Sequence, residues 1–293
     1  MTMRILLFGG SGQLGFELLS RAHDLNFEVT APVISEVDIG DLDQVLFLAR
    51  KFRPAVVINS AAYTAVDKAE EESAVAFRVN RDGAANTAKA AAAVGARLIH
   101  VSTDYVFAGD GSTPLDETAP TGPRNVYGAS KLAGEDAVLD ILGDQALVVR
   151  TSSLHGQRGE NFVHTMLKLF ETRPSIKVVT DQTMSPTWAG WLAEAMLDLA
   201  KIGAGGVVHA ACAGAISWYD FAVEIHRLAM PRLPDGSPCA IERTTVAEFA
   251  RSAARPMYSV LQCDRLAGML GRRPIAWQEG LKAHLRDIGR LQG

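Results

Sequence analysis

Short apolar runs and amphipathic stretches alternate through the first half of the chain. The runs RILLFG (4–9), FEVTAP (27–32), AVVINS (55–60), RLIHVS (97–102) and ALVVRT (146–151) are continuous rather than alternating. Continuous apolar strands belong to a parallel sheet covered on both faces. The stretches between them, such as 14–25 and 82–94, have helical composition, and the second is alanine-rich and stops at Gly95, a glycine stop signal. Strand–helix alternation predicts an α/β fold, a Rossmann-type doubly wound parallel sheet with right-handed crossovers.

After Thr151 the rhythm loosens. SIKVVTD (175–181) reads as a strand, TWAGWLAEAMLDLAK (187–201) as a helix beginning at Thr187, and GVVHAA (206–211) as another strand. MPRLPDGSP (230–238) reads as a loop, and helices are expected through much of the remainder. The pattern predicts a domain over 1–150 and a smaller, irregular α/β domain over 151–293 that shares some elements with the sheet.

At 293 residues, 48% hydrophobic and 21% charged, the chain has the composition of a soluble globule with ample core. A net charge of −4 gives no global reason to bind nucleic acid or an anionic membrane. Cys212, Cys239 and Cys263 stand too far apart for a metal knuckle or a redox pair, which suits a reducing compartment. The seven histidines lack metal-binding spacing, so no metal site is expected. The apolar start is too short for a signal peptide, and no run reaches the roughly 18 apolar residues of a membrane span. The expectation is a cytoplasmic protein.

Candidate chemistry begins at FGGSGQLG, between the first strand and the first helix. It satisfies both Gly10-x-Gly12-x-x-Gly15 and Gly9-x-x-Gly12-x-x-Gly15. Either spacing lets the backbone approach a pyrophosphate at a helix N-terminus, and the position at a βα junction makes a dinucleotide site the better reading. The acid that usually follows the second strand is absent: Ala31-Pro32 stands there, with Glu36 and Asp38 later. No acid bars a 2′-phosphate and no arginine attracts one, so NADPH or NADH is expected.

A second set lies at the carboxyl edge of the fourth strand, where HVSTDYVFAG brings out Ser102, Thr103, Asp104 and Tyr105. NVYGASKLAGE then places Tyr127 and Lys131 four apart at the opening of a helix, on one face and about 6 Å apart in rise. An isolated Tyr-x-x-x-Lys is usually a solvated surface pair. Beside the glycine motif and Thr103, it reads as a catalytic pair.

On these residues the sequence resembles the extended short-chain dehydrogenases/reductases, and within them the dTDP-4-dehydrorhamnose reductases. The likeness spans nearly the whole chain through GGSGQLG, VINSAAYTAVDKAEEE, VSTDYVFAG, NVYGASKLAGE, RTSSLHG, NFVHTML, DQTMSPT and ARPMYSVL. AAYTAVDKAE and STDYVFAG are its specific parts, whereas YGASK is shared with sugar epimerases and dehydratases.

The resemblance implies that Thr103, Tyr127 and Lys131 are catalytic and that Thr103, Asp104, Tyr105 and Ser153 meet the sugar. Gly9, Ser11, Gly12, Gln13, Leu14 and Gly15 would face the cofactor phosphates, and Asp38 and Ile39 the adenine. Ala61, Ala62 and Thr64 would line the rest of the dinucleotide, with Tyr127 and Lys131 at the nicotinamide end. The implied reaction is hydride transfer from NADPH or NADH to the C4 carbonyl of a nucleotide-linked 4-keto-6-deoxysugar. Tyr127 would protonate the alkoxide, Thr103 would donate a hydrogen bond to the same oxygen, and the Lys131 ammonium would lower the phenol's pKa. The expected partner is the nucleotide-sugar substrate, with no nucleic acid or membrane, and a homodimer is compatible with the chain.

Two rivals share these motifs. One is an NAD-dependent nucleotide-sugar epimerase or dehydratase using the same pair; it would retain NAD on purification. The other is a regulatory subunit that binds dinucleotide without turnover, like the methionine adenosyltransferase β subunit. Three positions depart from the family pattern: Ser153 where tryptophan is usual, Met184 where glycine is common, and His155 where tyrosine is common. All three are expected in the substrate pocket.

Overall fold

Five strands emerge where the apolar runs lie: β1 (Arg4–Phe8), β2 (Glu28–Thr30), β3 (Val56–Asn59), β4 (Arg97–Thr103) and β5 (Ala146–Thr151). The computed structural model describes residues 2–25, 27–249 and 251–292. A further strand, Gly206–His209, joins them in a six-stranded sheet ordered Gly206–His209, β5, β4, β3, β1, β2. Every pairing in it is parallel. The sixth strand is the GVVHAA run, so residues beyond 150 complete the sheet.

The apolar runs are continuous because both faces are covered. Ile5, Leu7, Ile58, Leu147 and Val149 face one core, and Leu6, Phe8, Val57, Leu98 and Val148 face another. Helices α1 (Gln13–Asp24) and α2 (Leu42–Phe52) lie on opposite faces, contributing Leu14 and Leu18 to the first core and Val45 and Ala49 to the second. The helix Gly83–Val94 ends on Gly95 in the left-handed region, φ +70°, where a glycine carries no Cβ penalty. The chain runs from β1 to β2 on one side and then returns to β3 on the other. The order therefore reverses at β1, and a crevice opens over the carboxyl ends of β1 and β3.

The chain beyond β5 forms three two-stranded pairs: Ser175–Val179 with Ala240–Thr244, Thr183–Met184 with Ile216–Ser217, and Leu154–His155 with Thr187–Trp188. The helix expected from Thr187 begins instead at Ala189. Thr187 donates its N–H to the Ser153 carbonyl and its hydroxyl to the Ser185 carbonyl, which holds it extended. The C-terminal stretch is less helical than expected. Asp264–Leu270 and Trp277–Asp287 are helices, while most of 245–263 is an irregular strap whose Tyr258 and Gln262 N–H groups donate to the Gly109 and Leu115 carbonyls. Among the described residues, no helix is long and apolar enough to cross a membrane.

Candidate active site

A cleft of about 660 Å³ occupies the crevice at the carboxyl ends of β1, β3, β4 and β5. At one end lies the glycine turn. Gly9 has φ +86°, and a Cβ there would stand 2.5 Å from the Ala61 nitrogen. A Cβ on Gly15 would stand 2.1 Å from the Gly9 carbonyl oxygen. Gly12 donates to that carbonyl at 3.0 Å, and a Cβ on it would meet nothing nearer than 3.3 Å. Gly9 and Gly15 thus bring the backbone together, and Gly12 leaves a cradle open. Gly10 packs against Ala31 and Leu19 instead, so the Gly9-x-x-Gly12-x-x-Gly15 spacing faces the cleft.

Gly12 caps α1 without a side-chain hydrogen bond, and Ser11, Gln13, Leu14 and Gly15 line the cleft beside it. Unpaired N–H groups at a helix start favour an anion there. Gln13 also donates to the Leu154 carbonyl at 3.1 Å and accepts from Asn161 at 2.8 Å, tying the turn to the C-terminal part.

Pro32, Asp38 and Ile39 line the far end, with Ala61, Ala62 and Thr64 on the wall after β3. The Asp38 carboxylate accepts from the Gly40 N–H at 2.8 Å and pairs with Arg78. Arg78 was not legible as a site residue, because it lies on a five-residue π-turn between two helical segments. It neutralises an acid that would otherwise face this end of the cleft. These features fit a dinucleotide: an open backbone cradle for the diphosphate, small residues along the wall, and a compensated acid at the nucleoside end.

The candidate catalytic groups gather at the other end. Asn125 caps the helix Val126–Leu142 by accepting from the Gly128 N–H at 2.7 Å, which fixes the first turn and Tyr127 within it. Thr103, Tyr127, Lys131 and Ser153 all line the cleft. The Tyr127 phenol lies beside Thr103, and its ring meets Tyr105 edge-on at 5.6 Å. Burial raises the phenol's pKa above its ordinary 10, with the neighbouring Thr103 hydroxyl opposing. Burial lowers the Lys131 amine to about 8, with the Glu135 charge opposing.

Lys131 is only 2% exposed. Its Nζ donates to the Val101 carbonyl at 2.6 Å and lies 3.4 Å from His100 Nε2. The ammonium effect expected on the phenol is thus not a direct contact; the amine is turned toward the backbone of β4. Asp104 lies behind Thr103, outside the cleft lining. Its buried carboxylate accepts from Thr103 Oγ1 at 3.1 Å and Ser152 Oγ at 2.8 Å. Tyr105 also lies outside the lining, beside Arg255, which pairs with Asp67 at 2.6 Å.

Ser153 is the one of the three departures that reaches the cleft. It holds φ +46°, an uncommon and strained conformation for a residue with a Cβ. Met184 is 2% exposed in the core, and His155 is 1% exposed, stacked on His284 at 5.1 Å between ring centroids. The expectation that they shape the substrate pocket is corrected: packing against the C-terminal core takes both away from the cleft.

The family model of the RmlD substrate binding domain matches residues 3–290. The chain belongs to that family. It is 43% identical to the dTDP-4-dehydrorhamnose reductase of Streptomyces griseus, over 89% of this chain and 86% of that protein. It is 39% identical to the dTDP-4-keto-6-deoxy-D-glucose reductase of Streptomyces niveus, over 92% of each. The crystal structure of the Bacillus anthracis dTDP-4-dehydrorhamnose reductase in complex with NADP superposes with a TM-score of 0.92 at 36% identity, covering 98% of this chain and all of that one. The doubly wound fold and the extended short-chain dehydrogenase/reductase resemblance both follow from these matches.

Proposed function

We propose that this member of the RmlD family reduces the C4 ketone of a nucleotide-linked 4-keto-6-deoxysugar, as a dTDP-4-dehydrorhamnose reductase does, using NADPH or NADH. The observation that carries the reading is the meeting of Thr103, Tyr127 and Lys131 on one wall of a cleft whose other end is a glycine cradle. Gly9, Gly12 and Gly15 hold the cofactor diphosphate, Asp38 and Ile39 the adenine end, and Ala61, Ala62 and Thr64 the wall between. The bound reduced nicotinamide supplies the hydride.

The chain's own residues supply and hold the proton. With its pKa raised, the Tyr127 phenol is fully protonated at neutral pH, and an alkoxide is a strong enough base to take that proton. Thr103 has a single proton, directed to Asp104, while its oxygen accepts from the Tyr105 N–H at 3.2 Å. With Asp104 ionised, Thr103 gives that proton to the carboxylate and stands beside the phenol rather than donating to the sugar oxygen. Lys131 in its charged form draws negative charge to this end of the cleft and balances the phenolate left behind.

Residues 151–293 are assigned the sugar nucleotide, with Ser153 at the edge of the cleft. The partner is a soluble small molecule, and nothing in the charge or the apolar pattern calls for nucleic acid or membrane. The test is NADPH oxidation against a panel of nucleotide 4-ketosugars, with product analysis. Oxidation dependent on one ketosugar, yielding its 4-hydroxy product, is expected. Cofactor binding with no turnover on any of them would overturn the reading.

A further inference from the structure

Beside the Lys131 bond to the Val101 carbonyl, β4 and the helix Val126–Leu142 are joined by two side-chain contacts in step. His100 and Ser102 lie two apart on the strand; Lys131 and Glu135 lie four apart on the helix. His100 meets Lys131, and Ser102 donates to Glu135. On its other side His100 meets Asn59, its register partner on β3, with Asn59 Nδ2 3.3 Å from His100 Nδ1. His100, Asn59 and Lys131 are all buried, beside the apolar core that β3, β4 and the Gly83–Val94 helix build.

The hydrogens in this chain can be assigned one by one. The Thr87 hydroxyl donates to the Ala84 carbonyl at 2.8 Å, so its oxygen accepts from Asn59 Nδ2 at 3.4 Å. Asn59 Oδ1 accepts from the Ala61 N–H at 3.2 Å, which fixes the amide's orientation. The second Nδ2 hydrogen then points at His100 Nδ1, which must accept it. The neutral ring consequently carries its proton on Nε2, aimed at Lys131 Nζ. An amine can accept that hydrogen with its lone pair, whereas an ammonium would oppose N–H to N–H.

We propose that His100, locked in its Nε2–H tautomer by Asn59, is a positioning residue that favours the amine form of Lys131 over the ammonium in the cofactor-free protein. Protonation of Lys131 must break this contact or turn the imidazole and the Asn59 amide together. Turning the amide releases the Ala61 N–H, on the wall of the cofactor cleft. The charge of the catalytic lysine is thereby linked to the loop that follows β3. Among the described residues, the titratable groups acting on the amine are His100 from β4 and Glu135 from its own helix, of which Glu135 favours the ammonium. β3 and the Gly83–Val94 helix bring the neutral Asn59 and Thr87.

The experiment uses the cofactor-free protein labelled with ¹⁵N-histidine and ¹³C-lysine. Histidine NMR is expected to show His100 protonated on Nε2 alone across neutral pH. His100→Met removes the opposing N–H, and Asn59→Asp offers an acceptor that draws the ring proton to Nδ1. Both are expected to raise the Lys131 titration by about one pH unit or more, a tenfold change in its proton affinity. Wild-type His100 protonated on Nδ1 would overturn the proposal. So would a Lys131 titration unmoved in the variants that fold, including the case where they are merely less stable. The role of Lys131 in turnover comes from the proposed function, but the NMR readout needs neither cofactor nor ketosugar. A failed tautomer assignment and a failed reductase assay are therefore separate outcomes.

Discussion

The Thr103 hydroxyl donates to the Asp104 carboxylate at 3.1 Å, and no cation among the described residues pairs with that carboxylate. Burial raises the Asp104 pKa, with hydrogen bonds from Ser259, Ser152 and Thr103 opposing. An acid whose native pKa is raised binds its proton more tightly folded than unfolded. Its contribution to stability is therefore most favourable below its ordinary value and declines as pH rises through the raised native value. Asp104→Asn should remove that pH-dependent decline, so the variant is expected to melt no lower than wild type at neutral pH. The amide cannot accept from Thr103 and Ser152 on separate oxygens, so the Thr103–Tyr127 geometry should loosen. Turnover is expected to fall about tenfold, or about 1.4 kcal/mol of barrier. Steady-state kinetics beside a thermal melt separate the two effects; a destabilised variant with full activity would contradict both.

Tyr127→Phe keeps the ring and its edge contact with Tyr105 and removes the proton. Turnover should drop at least about a hundredfold, with cofactor affinity nearly unchanged. Activity above about a third of wild type, under conditions where chemistry limits the rate, would mean that the phenol is not the acid.

Cofactor choice follows from the far end of the cleft. Ala31-Pro32 offers no acid, and Arg78 compensates Asp38, so NADPH and NADH should both bind, with NADPH equal or better. Arg78→Ala exposes the uncompensated carboxylate and should weaken NADPH more than NADH. Competitive fluorescence titrations decide this. A hundredfold preference of wild type for NADH, about 2.7 kcal/mol, would require a ribose ligand absent from this wall.

The main sheet was legible because strands covered on both faces cannot alternate, and the five runs say so. The glycine turn was legible because Gly9 and Gly15 are positions where a Cβ meets backbone. The start of the Ala189 helix was misplaced by a hydrogen bond to Ser153, thirty-four residues away in sequence. The strap through 251–263 has no period of its own, since its N–H groups pair with Gly109, Leu115 and Thr183. Met184 and His155 were misplaced because a departure from a family pattern gives no direction in space. His100 did leave a sign: an imidazole between the apolar residues of the run RLIHVS must find a buried partner. Which partner depends on how the Lys131 helix docks on β4, which local sequence does not encode.

Ser153 sets the last expectation. An indole at this position would bring a large stacking surface to the cleft, since aromatic side chains bury about 150–250 Å². None of the four tryptophans replaces it: Trp188 lies under Arg21, Trp191 and Trp277 are in the core, and Trp218 packs on Phe162. The pocket is therefore wider here, and reduction of dTDP-4-dehydrorhamnose should be detectable but poor, seen mainly as a high KM. Both serine and tryptophan carry a Cβ, so Ser153→Trp leaves the cost of φ +46° largely unchanged. The substitution should lower KM with a smaller effect on kcat, the signature of binding gained equally by ground and transition states. A low-micromolar KM in wild type would show that other groups hold the nucleotide sugar, and the widening at Ser153 would then carry no penalty in binding.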